Sequence, residues 1–94
     1  MIIRIVKMQF KEEHIPAFHQ LFNERKEQIA SFEGCLRVDM LQDIQDPCIH
    51  FTYSQWINEQ ALTSYRASSF FEETWTKTKA LFENKAEAWS TIIK

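Results

Sequence analysis

The chain has 94 residues, 45% of them apolar and 14% aromatic, and a net charge of −2; that length is one domain and excludes a second. Lys and Arg are scattered among Asp and Glu, so no basic footprint for a nucleic-acid backbone forms, and no apolar run approaches a membrane span. A domain of this size buries only roughly 60–65% of its unfolded surface, so eight Phe, three Trp and two Tyr point to an interface or an aromatic-lined pocket beside a marginal core.

Residues 2–10, IIRIVKMQF, predict a strand, with Ile3 and Ile5 on one face and Ile2, Val6, Met8 and Phe10 on the other. The alternation begins at once, without a signal peptide's long apolar stretch, so a cytoplasmic protein is expected. Residues 12–32 predict a helix: Ile15, Phe18, Phe22, Arg25, Ile29 and Phe32 follow its period, with Leu21 widening the stripe. Pro16 belongs in a first turn, which places the start near His14. The chain's only glycine, Gly34, fits the C-cap. His14 and His19 fall on or near the helix's polar side, where solvation is expected.

Residues 35–43 alternate as a half-buried strand, Asp43–Pro47 make a turn, and residues 48–56 form a second strand. Ile49, Phe51 and Tyr53 share one face of it; Cys48, His50, Thr52, Ser54 and Trp56 share the other. Asn58 caps a short helix over 59–67. In a following helix Ser69 and Glu72 have capping-box spacing, and Phe71, Trp75, Thr78 and Phe82 share a face. Residues 86–93 predict the last strand.

The order is that of the α+β, ferredoxin-like βαββαβ fold in a single domain over residues 1–94: an antiparallel sheet with helices on one face. The face bearing Ile49, Phe51 and Tyr53 then needs a cover, and a second copy of the sheet in a homodimer is the simplest one. In this hairpin Cys35 pairs near Gln55 and Cys48 near Gln42, too far apart for a disulfide. No His or Cys spacing suits a metal site, one glycine cannot build a phosphate loop, and no cofactor is expected.

Two residues on the even-numbered face of the third strand carry chemistry. His50, with an ordinary pKa near 6.5, suits removal of a phenolic proton at neutral pH; otherwise it is a structural histidine bonded to a neighbouring element. Trp56 either stacks a flat substrate and donates its indole N–H to a ring oxygen, or packs at the strand end with that N–H on backbone. Phe71 and Trp75 are candidate ring contacts from the helix above, or simply core.

Four stretches in order, Phe32-Glu33-Gly34-Cys35, Phe51-Thr52-Tyr53-Ser54-Gln55-Trp56, Asn58-Glu59-Gln60-Ala61-Leu62 and Ser68-Ser69-Phe70-Phe71, resemble the antibiotic biosynthesis monooxygenase family of dimeric α+β barrels. The resemblance implies two sheets facing each other in a dimer and a pocket between sheet and helices in each subunit. Active members oxidise phenolic or quinol-like aromatics with molecular oxygen and no bound cofactor; others degrade haem or isomerise small metabolites. Many members have His where this chain has Tyr65, and a second His where it has Phe70. The haem-degrading branch needs an Asn on the first strand that is lacking here, and its later positions fall on Tyr65 and Trp75. The quinone-forming branch uses an Asn and a Trp on the third strand, which fall on Thr52 and Trp56.

The expected activity is that of a cofactor-independent, monooxygenase-like oxidoreductase acting on a small aromatic, quinol-type molecule. In that reading His50 and Tyr65 are the catalytic candidates, and Trp56, Thr52, Phe71 and Trp75 are the substrate contacts. The alternative is a non-catalytic small-molecule-binding or stress-response module on the same dimer.

Overall fold

The computed structural model describes residues 1–94. In chain order it runs β1 (Ile2–Phe10), a 3₁₀ turn (Glu12–His14), α1 (Ile15–Ala30), β2 (Cys35–Gln42), β3 (Ile49–Trp56), α2 (Glu59–Arg66), α3 (Ser69–Lys79) and β4 (Phe82–Thr91). The four strands form one antiparallel sheet in the order β2-β3-β1-β4. This is the expected ferredoxin-like arrangement.

Strand parity decides which face the helices cover. Met8 and Phe10 of β1 and Val38 of β2 are buried in one cluster with Phe18, Phe22 and Ile29 of α1. Burying side chains of this kind stabilises by roughly 1.5–3 kcal/mol each. The odd-numbered face has no helix over it. There Ile5 stands between Tyr53 of β3 and Trp89 of β4, and Phe51 pairs with Leu41 of β2. Leu41 and Trp89 are each 48% exposed, so this apolar row is open in the single chain.

Helix boundaries follow local chemistry. Pro16 sits in the first turn of α1, and the chain approaches it through the 3₁₀ turn, because proline lacks the N–H a preceding turn would use. The helix stops at Ala30 with Ser31 as C-cap, two residues short of the expected end. Gly34 is therefore not the cap but the corner of the next turn, with φ 85°. A side chain there would collide with Ala61 and Ile57, and the Gly34 carbonyl accepts a hydrogen bond from the Ile57 N–H at 2.8 Å. Asn58 caps α2 as expected, its Oδ1 accepting from the Ala61 N–H at 2.8 Å. Ser68, not Ser69, caps α3, accepting from the Phe71 N–H at 3.1 Å.

Two further expectations shift. β4 begins at Phe82, four residues early, and Phe82 leaves the helical face for a position opposite Phe10. Its ring packs 5.4 Å from that of Phe10 and 5.6 Å from that of Trp75, so the same apolar contacts are made from a strand. A bulge between Cys35 and Arg37 moves Cys35 opposite Trp56. Both cysteines are free, and burial pushes both thiols up, away from the thiolate a nucleophile needs.

Candidate functional site

A cavity of about 400 Å³ lies between the sheet and the helices, within the range of small-molecule sites. Val6, Met8, Thr52, Ser54 and Ala88 contribute to its floor, while Phe18, Phe22, Leu62, Tyr65, Phe71 and Trp75 contribute to its walls and roof. Fourteen of its 21 lining residues are hydrophobic.

The aromatic side chains form a continuous series. Trp56 stacks on Tyr65 at 5.0 Å and 26°, Tyr65 meets Phe71 edge-on at 5.1 Å, and Phe71 stacks on Trp75 at 6.0 Å and 12°. Such pairs contribute about 0.5–1.5 kcal/mol each beyond burial, so the rings of the wall hold one another in place. Trp56 touches the cavity but is only 1% exposed. One of its faces is taken by Tyr65, and its N–H donates to the Ser54 hydroxyl at 3.0 Å, neither to backbone nor to open space. Trp56 thus backs Tyr65, and a flat ligand meets Tyr65, Phe71 and Trp75 first.

The structure brings Thr52, Trp56, Tyr65, Phe71 and Trp75 to one cavity and leaves His50 out of it. His50 is on the expected strand face but nearer its other end, opposite Met8, and wholly buried. The rings of Phe10 and Phe18 stand edge-on to it at 5.4 and 5.5 Å. Its Nε2 lies 2.9 Å from the Nε2 of His19, so one imidazole donates and the other accepts. His19 is therefore half-buried in a pair rather than solvated. Burial first, with a smaller contribution from the neighbouring His19, holds His50 below its ordinary pKa against a backbone hydrogen bond at Cys48 that raises it. A neutral imidazole walled by phenylalanines has no route to a ligand in the cavity.

Tyr65 does reach the cavity, but burial pushes its hydroxyl far above the ordinary phenol range, with Cys35 adding to the shift. It is a hydrogen-bonding group and not a base at neutral pH. Phe70, at the other position where relatives have His, packs at 5.6 Å from Phe32, away from the cavity lining.

Three arginines line the same cavity and no Asp, Glu or His does. Arg25 of α1 is already engaged: it donates to Thr74 Oγ1 at 2.8 Å, pairs with Glu73 at 3.1 Å and lies over the Phe70 ring. Arg4 of β1 donates to Ser90 Oγ at 3.0 Å, and neither it nor Arg66, in the last turn of α2, is among the ion pairs of the chain. Arg4 stands directly across the ladder from Ser54, the residue that anchors Trp56. Sequence patterning held a sign of Arg4: it shares parity with Val6 and Met8, and a charge on an otherwise apolar strand face needs a partner or a function.

No group of three or more His, Cys, Asp and Glu side chains converges anywhere in the chain, and no helix is long and apolar enough to cross a membrane. The family model for antibiotic biosynthesis monooxygenase matches residues 1–77, and the chain belongs to that family. Among solved structures it is similar to a conserved protein from Methanosarcina mazei Go1, with TM-score 0.93 and 25% identity, over 100% of this chain and 94% of that one. It is similar to an antibiotic biosynthesis monooxygenase at TM-score 0.92 and 21% identity, over 100% and 99% of the two chains. It also resembles the cofactor-independent oxygenase SnoaB from Streptomyces nogalater at TM-score 0.89 and 15% identity, over 99% and 92%. No curated protein matches the chain.

Proposed function

We propose that this chain is a cofactor-independent, monooxygenase-like oxidoreductase acting on a small aromatic, quinol-type molecule in the cavity. The observation that carries the reading is the packed aromatic wall of Tyr65, Phe71 and Trp75 around about 400 Å³ of largely apolar space, in a member of the antibiotic biosynthesis monooxygenase family. The reaction is oxidation of a hydroxyarene at an unsubstituted ring carbon. The ring takes one atom of dioxygen as a new carbonyl, its O–H and C–H hydrogens leave with the other atom as water, and the ring supplies the electrons. The protein's contribution is to hold the ring flat, exclude water and favour the electron-rich ionised ring that reduces oxygen. Tyr65 and Thr52 orient ring oxygens, and Trp56, tied to Ser54, fixes Tyr65.

The active form in this reading is a homodimer closed over the open sheet face around Ile5, Phe51, Tyr53 and Trp89. The test is oxygen consumption with a panel of quinols and hydroxynaphthalenes, compared with anaerobic controls. Uptake at the protein-free rate across the panel would sink the reading. One observation favours a second reading, a binding module without turnover: no group lining the cavity is a base at neutral pH. Thermal stabilisation by the same panel without product formation would select it.

A further inference from the structure

We infer that the cavity takes its aromatic ligand as an anion, with the anionic oxygen seated between the guanidinium groups of Arg4 and Arg66. This rests on the reading that the cavity is the ligand site, and adds the charge and orientation of what enters it.

The chain as a whole is acidic, with a net charge of −2, yet its cavity carries three guanidiniums and no carboxylate. A folded protein pairs partly buried arginines when it can, because an uncompensated charge removed from water is costly. Arg25 obeys the rule through Glu73. Arg4, half-buried, has only the neutral Ser90 hydroxyl as partner, and the exposed Arg66 that lines the same cavity adds a second positive charge rather than a counter-ion; burial first and the Arg66 charge second draw Arg4 below its ordinary value. Two like charges facing one space without a counter-ion form a site of stored repulsion. An anion relieves it and gains charge-assisted hydrogen bonds from planar donors.

The position of the pair matters as much as its charge. Arg4 is opposite Ser54 on the ladder and Arg66 directly follows Tyr65 on α2. The cationic end of the cavity therefore adjoins the Trp56–Tyr65 stack, and a flat anion lying along the aromatic wall can place its oxygen there. The arrangement also answers the lack of a base. An opposite charge within about 4–6 Å lowers an acid's pKa by roughly 1–3 units. A bound phenol then ionises by releasing its proton to water, with no protein group accepting it, and the phenolate stays as counter-ion to the arginines. The same seat accepts a ring carboxylate.

Two probes separate the sources of the anion. Nitrophenol reports its own ionisation by colour, and naphthoate with its neutral analogue naphthamide reports carboxylate selectivity by calorimetry. All are measured without turnover, on the wild-type chain and on Arg4→Gln, Arg66→Gln and Arg4→Lys. The expected result is that bound nitrophenol ionises roughly one pH unit or more lower than in buffer. Naphthoate should bind roughly tenfold tighter than naphthamide at low salt, and the gap should narrow as salt rises. Either Gln variant reduces both effects, and Arg4→Lys keeps part of them. A shift for nitrophenol alone assigns the seat to phenolate; selectivity for naphthoate alone assigns it to carboxylate. If nitrophenol ionises as in buffer and naphthoate binds no better than naphthamide, the inference is overturned, whether or not quinols are oxidised. Arg66 is exposed, so its variant tests the site even where the Arg4 variants fold poorly. Quinol turnover that fails while anion selectivity holds removes the proposed oxidation and leaves the anion site standing.

Discussion

The β1–β3 ladder carries two polar regions on its covered face, and they have opposite fates. At one end His50, opposite Met8, is sealed under Phe10 and Phe18 and closed by His19. At the other, Arg4, opposite Ser54, faces the cavity with Arg66 and no acid. The histidine has the side chain suited to proton transfer but no access; the arginines have access and cannot accept a proton. Reactivity in this fold depends on what stands between a group and the cavity, more than on the group's intrinsic pKa.

Phe18 stands between these regions, lining the cavity and packing at 4.1 Å from Phe10. Phe18→Ala should cost about 3–5 kcal/mol, read from urea midpoints, and should join the histidine corner to the cavity. An unchanged midpoint would show that the two regions do not share a core. Trp56→Phe removes the Ser54 hydrogen bond and part of the stack on Tyr65, and should cost about 1–2 kcal/mol. A larger loss of ligand affinity than of stability would show that Trp56 acts through Tyr65 as proposed.

The histidine corner makes a pH prediction. Burial and His19 lower the folded-state pKa of His50, while the unfolded chain takes up its proton at about 6.5. Below that pH the unfolded state binds the proton and the folded state does not, so stability falls as pH drops from about 6.5 towards the lower folded value. His50→Leu should remove that part of the slope, leaving the carboxylates' contribution at lower pH, including that of Glu73, which is held below its ordinary range by Lys77 and Arg25. An identical slope in the variant would show that His50 is not held neutral in the fold. The smallest effect belongs to Arg66→Gln, within about 0.5 kcal/mol of wild type in stability. A clear loss would mean that Arg66 is structural, and would weaken the contrast between the two ends.

Sequence patterning read the architecture well because β1, α1 and β3 each carry one unambiguous period. It placed β4 late because Phe82 satisfies both periods: it is in step with Phe71 and Trp75 on a helix, and with Ala86 and Ala88 on a strand. Parity put His50 on the covered face, but depth along a strand depends on which helix side chains lie above, and those long-range contacts have no local signature. His19 was placed in solvent for the same reason. Arg4 carried a readable sign, a charge in an apolar row, whereas Arg66 at a helix end looks like any macrodipole partner until the fold sets it beside Arg4. Thr52, Tyr65, Phe71 and Trp75 needed only the helix-over-sheet layering to reach one cavity.

The three tryptophans have a spectroscopic consequence. Trp56 is in the cavity floor beneath Tyr65, Trp75 is in its wall, and Trp89 lies on the open sheet face. Each surface thus carries its own fluorophore. Ligand occupancy should quench the first two and leave the third unchanged. Covering the sheet face should shift the emission of Trp89 to shorter wavelength, with a protein-concentration dependence that the other two do not share. Variants retaining one tryptophan each would then follow filling of the cavity and closing of the sheet separately in one solution.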